Sequence, residues 1–188
     1  MTDLTPTPAS TPPFDFTLAT PERVRAGVEA AIARCEAILD GVARVEGTRT
    51  FADTLQPLDD VANALALASG EHGFLTYVSA DTALREAALE AEQRLDTYGT
   101  SVGFREEIAA AVRAYAETAE ARGIEGVPAR LLAHTQRDHR RNGFALDAGR
   151  RGRVQALKER LVRLGVEFRR NIDEFEDALL LSREGLRG

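Results

Sequence analysis

Tryptophan is absent from this chain of 188 residues, and cysteine, methionine and lysine occur once each. The lone Cys35 cannot close a disulfide within the chain, so the fold needs no oxidising compartment, and at an apolar helical position it reads as a small core residue. Missing too is any apolar run near the roughly 18 residues of a membrane span, so no membrane partner is expected. The amino terminus lacks the basic and apolar regions of a signal peptide. Together these absences predict a cytoplasmic protein. A formal charge of -6 argues against a general nucleic-acid binder, although basic residues outnumber acidic ones between Arg130 and Arg170. Phe144 and Phe168 in that stretch look buried rather than arranged for base stacking, so pairing with the acidic remainder of the chain is the simpler expectation, and no nucleic-acid partner is predicted.

Histidine is scarce as well. Metal sites on helices need His and carboxylate ligands three or four residues apart, so that both share a face. His134 and His139 are five apart, about 140° around a helix, and Glu71 precedes His72 rather than following a His. His72 reads as a packing histidine, and His134 and His139, set among Arg137, Arg140 and Arg141, as a solvated face. Carboxylates are so plentiful that some pairs fall at helical spacing by chance, and none marks an acid/base couple. Gly143, Gly149 and Gly152 lack the spacing and the following Lys-Ser/Thr of a phosphate loop, and no Ser or Cys stands in a nucleophile elbow. The predicted site content is therefore none: no catalytic, cofactor-binding or metal-ligating residue, no cofactor in this chain, and no enzyme activity of its own.

What is present is helical periodicity. Residues 2–13 alternate Thr, Pro and Ser and predict a flexible lead-in over 1–15. Thr20 followed by Pro21 predicts a helix start, after which Val24, Val28, Ile32, Cys35, Leu39 and Val42 form one stripe, ended by Gly47. Thr50 caps a short turn, and Pro57 opens a second helix carrying Leu58, Val61, Leu65, Ala68 and Leu75 to about Val78. Asp81 caps a third with Leu84, Ala88, Ala91, Leu95, Tyr98 and Val102. A fourth runs from about Phe104 to Gly123 with Ile108, Val112, Tyr115 and Ala119 inward. Pro128 starts a fifth with Leu131, Leu132 and Thr135, and Gly143 after Asn142 suits a left-handed cap. The sixth and longest, about 148–174, carries Val154, Leu157, Leu161, Leu164, Phe168, Ile172 and Phe175 as a narrow seam like that of a coiled coil. Ala178–Leu181 predicts a short strand. The expected fold is all-α, an antiparallel bundle of about six helices over 16–176, in which each stripe buries against another, with a short strand and turn over 177–188.

Several segments carry a resemblance. Thr50-Phe51-Ala52-Asp53-Thr54-Leu55 is similar to an aromatic-Glu-Asn-Thr-Leu turn, departing at Ala52 and Asp53. Val78-Ser79-Ala80-Asp81, followed by Leu84-Arg85-Glu86-Ala87, matches a loop and helix entry. Arg141-Asn142-Gly143-Phe144-Ala145-Leu146 matches a helix junction. Leu161, Leu164, Phe168 and Asn171, the strand, and Glu184-Gly185-Leu186-Arg187-Gly188 match a final helix, strand and turn. In this order the segments resemble the N-terminal helical domain of the thimet oligopeptidase, neurolysin and oligopeptidase A type of zinc metallopeptidase. The resemblance implies a parent enzyme that hydrolyses short peptides, with this segment as a non-catalytic wall of the substrate channel. Zinc in that parent is held by H-E-x-x-H and a downstream Glu, none of which is present here. The implied partners are a missing C-terminal catalytic domain and, in the parent, short peptides. The alternative is a free-standing helical interaction module that engages a partner through the seam of the sixth helix.

Overall fold

The computed structural model describes residues 14–173 and 175. The lead-in up to residue 13 and the strand expected near Ala178–Leu181 lie outside them. The fold is all-α: a short 3-10 turn, Phe16–Leu18, precedes α1 (Pro21–Ala43), α2 (Phe51–Ala68), a π-helical turn Ser69–Gly73, α3 (Leu75–Val78), α4 (Thr82–Val102), α5 (Glu106–Ala116), α6 (Ala119–Gly123), α7 (Gly126–Arg141) and α8 (Ala148–Asp173). No helix among the described residues is long and apolar enough to cross a membrane.

Local chemistry sets most of the helix boundaries. The Thr20 hydroxyl accepts from the Arg23 N–H at 3.3 Å, with Pro21 in the first turn where its missing N–H costs nothing. Asp81 accepts from the N–H groups of Ala83 and Leu84. Gly143 takes a φ of 88° after α7, a conformation that glycine adopts without the Cβ clash of other residues.

Two predicted helices are divided differently in the structure. The second does not open at Pro57; it opens at Phe51, and Pro57 lies inside it. Thr50 and Asp53 form a reciprocal capping box: the Thr50 hydroxyl accepts from the Asp53 N–H, and the Thr50 N–H donates to the Asp53 carboxylate at 3.0 Å. That cap, and the complete burial of Thr54 and Leu55 in the first turns, outweigh the hydrogen bond to the Asp53 carbonyl that Pro57 cannot donate. The same predicted helix then widens into the π-turn before α3. The predicted fourth helix breaks after Ala116, because Thr118 leaves the helix and caps α6 by accepting from the Ala121 N–H at 3.1 Å. Ala119, expected inward, is exposed.

The core has two parts. Val24, Val28, Ile32, Cys35, Leu39 and Val42 of α1, all buried, meet Val61 and Ala68 of α2 and Leu84, Ala88, Ala91 and Leu95 of α4. A smaller cluster joins Leu55 of α2, Val112 and Tyr115 of α5 and Leu132 of α7. Each large aliphatic side chain so buried contributes about 1.5–3 kcal/mol, which is what draws the amphipathic helices together.

The stripe of α8 breaks the pattern. Leu157, Leu161, Leu164 and Phe168 are 60%, 68%, 47% and 65% exposed, and Ile172 and Phe175 are exposed too. The helix leans on α4 through the opposite face, where Val166 is buried and Arg169 pairs with Glu92 at 2.9 Å and with Asp96 at 3.8 Å. The expectation that every stripe buries against another fails here, since no described helix lies on the outer side of α8. Phe168, expected to be buried, points outward with the stripe.

Candidate functional site

The scarce reactive side chains sit in structural roles. Cys35 is wholly buried with its Sγ 3.9 Å from the Val61 carbonyl, and burial raises its pKa, which keeps the thiol protonated and unreactive. His72 projects from the π-turn onto Gly27 of α1: a Cβ at Gly27 would stand 2.1 Å from its Nε2. The ring fills space that only a glycine leaves open. His134 is exposed, but His139 is not on a solvated face as the sequence suggested. Its ring packs edge-on against Phe144 with centroids 5.3 Å apart, and burial, reinforced by the charge of Arg113, lowers its pKa. Phe144 in turn carries the Arg151 guanidinium 4.9 Å from its ring centroid. Among the described residues no group of three or more His, Cys, Asp or Glu side chains is placed to hold a metal ion.

The basic stretch is matched in part within the molecule. Arg137 and Arg141 pair with Asp138, Arg150 with Asp147, Arg151 with Glu106, and Arg169 with Glu92.

Sequence reasoning missed a polar network between α1, α4 and α5. The Tyr98 hydroxyl donates to Glu36 at 2.7 Å, and Arg105, at the amino end of α5, reaches Glu36 at 2.8 Å, Asp40 at 3.5 Å and Glu107 at 2.7 Å. Burial, then the contact with Glu36, raises the Tyr98 pKa. Hydrogen bonding to its own backbone N–H and to Arg105 lowers that of Glu107. Glu36 and Asp40 stand one turn apart on α1, which was legible; that Arg105 would bridge them was not. The network clamps three helices and exposes no reactive atom to a cavity.

Between α4 and α8 runs an open groove of about 400 Å³, with Leu89 and Gln93 on one wall and Arg160, Arg163, Leu164 and Glu167 on the other. It adjoins the exposed apolar stripe of α8. Groove and stripe together form an extended surface that combines uncovered large apolar side chains with charge.

No known protein family's sequence profile matches the chain. It is similar to saccharolysin of Saccharomyces cerevisiae, 21% identical over 183 residues, an alignment that takes in 96% of this chain and 25% of the yeast protein. The chain thus spans about a quarter of the length of the curated relative it matches.

Proposed function

We propose that this chain is the N-terminal, non-catalytic helical domain of a zinc metallo-oligopeptidase that hydrolyses short peptides, and that its helices form one wall of the substrate channel. The observation that carries the reading is the extent of the similarity to saccharolysin, a thimet oligopeptidase-family metallopeptidase: nearly all of this chain aligns with only a quarter of that protein. Three of the segments that resemble the family support it, because each has a definite structural task here, while Leu161, Leu164 and Phe168 of a fourth stand exposed. Thr50 and Asp53 form the capping box of α2, Asp81 caps α4, Asn142 and Gly143 end α7, and Leu161 to Asn171 lie on α8.

The zinc of such an enzyme has no fitting donor set among the described residues, so no step of hydrolysis is assigned to this chain. Its part is steric: a rigid wall that limits which peptides reach a catalytic centre held elsewhere. The deciding experiment reads the coding sequence that follows Gly188. An in-frame H-E-x-x-H codon run is expected, and a stop codon directly after Gly188 overturns the reading. Incubated alone with zinc and a quenched fluorescent peptide, the chain is expected to hydrolyse nothing above the buffer rate.

A second reading, a helical interaction module, is favoured by the uncovered stripe of α8.

A further inference from the structure

The face that α8 turns to the body is tied down by cations rather than by large apolar residues, and we infer that α8 is a charge-held latch, which lifts off α4 as one unit while α1 to α7 stay folded. The inference stands independently of the peptidase reading. Arg151, Lys158 and Arg169 follow one another at steps of seven and eleven residues, close to two and three whole turns, so all three fall on one line along the helix. Each finds a partner on the body. Arg151 pairs with Glu106 of α5, Lys158 donates to the Asn142 side chain at the end of α7, and Arg169 pairs with Glu92 of α4 at 2.9 Å and with Asp96 at 3.8 Å. Asn142, itself 6% exposed, passes the tie on by donating to the Gly103 carbonyl at 2.6 Å.

Apolar burial adds little to these ties. Between the cations stand Val154 and Val162, both half-buried, and Val166, the one buried residue of α8 among those described, which belongs to neither core cluster. The large apolar side chains Leu157, Leu161, Leu164 and Phe168 stay exposed. By contrast, α1 buries six residues: Val24, Val28, Ile32, Cys35, Leu39 and Val42. A helix with few buried apolar contacts opens at a lower cost than the core it rests on. The pairs that hold α8 are themselves open to water, since the Arg169 side chain is 48% exposed and those of Glu106 and Asp96 are 56% and 49% exposed, so salt weakens them. Once undocked, a single helix is marginal in water and frays.

The groove between α4 and α8 depends on the latch. Leu89 and Gln93 stay with α4, whereas Arg160, Arg163, Leu164 and Glu167 leave with α8, so the groove exists only in the latched state. A ligand that fills it binds that state alone and holds the latch shut, and the strength of the three polar ties sets the fraction of molecules able to accept it.

The test is native-state hydrogen exchange, read amide by amide by NMR on the full 188-residue chain in low urea. Amides of α8 are expected to exchange roughly a hundredfold faster than the buried ones of α1, with a shallower dependence on urea, because less surface is exposed when one helix lifts. Ile32→Val loosens the core and is expected to speed exchange in α1 about fivefold while leaving α8 unchanged, since the core is intact in the open state. Raising the salt from about 0.05 M to about 0.5 M, and separately Arg169→Gln, are each expected to speed α8 roughly threefold. The salt arm needs no variant to fold. Equal protection and equal urea slopes in α8 and α1 overturn the proposal, as does an Ile32→Val effect that reaches α8 in full, or an α8 rate indifferent to salt or to Arg169→Gln. Absence of any protection in α8 overturns it too, because the helix is then never latched. The assay involves no peptide hydrolysis, so its failure leaves the peptidase reading where it stood.

Discussion

Replacing Gly27 by alanine sets two effects of comparable size against each other, and the structure says how to separate them. Alanine in the interior of α1 gains about 1 kcal/mol of helix propensity over glycine. Against that, the added Cβ would stand 2.1 Å from Nε2 and 2.5 Å from Cε1 of His72, far inside van der Waals contact. The half-buried His72 ring must then swing out or α1 must shift, and overpacking of this kind costs about 1–3 kcal/mol. Gly27→Ala alone is therefore expected to destabilise the chain by up to about 2 kcal/mol. In a His72→Ala background the obstruction is gone, and the same substitution is expected to stabilise by about 1 kcal/mol. Urea unfolding of the four proteins, followed by far-ultraviolet circular dichroism, gives the coupling energy of the cycle, expected at about 1–3 kcal/mol. If Gly27→Ala stabilises equally in both backgrounds, His72 does not press on α1, and the packing role assigned to it is wrong.

Three further outcomes follow from the caps and the buried network. Thr50→Ala removes the acceptor for the Asp53 N–H and is expected to cost about 1 kcal/mol in the same unfolding assay. Partial burial raises the Asp53 pKa, but hydrogen bonds from Thr54 and Thr50, with Arg49 nearby, more than offset this, so the net shift is downward. A carboxyl with a depressed folded pKa adds stability that is present above its unfolded value and lost as the pH falls through the folded one. Acid titration of stability should thus show a smaller loss at the acid end for Asp53→Asn than for the parent. Tyr98→Phe deletes the 2.7 Å hydrogen bond to Glu36 without changing the shape of the ring, and is expected to lower stability by about 1 kcal/mol, read as a drop of a few degrees in Tm. An unchanged Tm would remove Tyr98 from the clamp.

The helices and most of their ends are written in the amino-acid pattern, because both are local matters. Six apolar residues of α1 at steps of three and four are all buried, and the caps at Thr20, Asp81 and Gly143 act where the sequence placed them. Even the misplaced start of α2 was local chemistry, a capping box outweighing a proline seven residues along. The tertiary structure alone decided how the elements meet. That His72 lies over Gly27, that Arg105 bridges Glu36 and Asp40, and that α8 packs through Val166 while its longer stripe faces outward, all depend on residues far apart in the chain. An apolar stripe records that a helix is to be covered, and periodicity sets the angle of the cover. Which surface provides it is a question of three-dimensional proximity, to which a pattern along a single helix carries no answer.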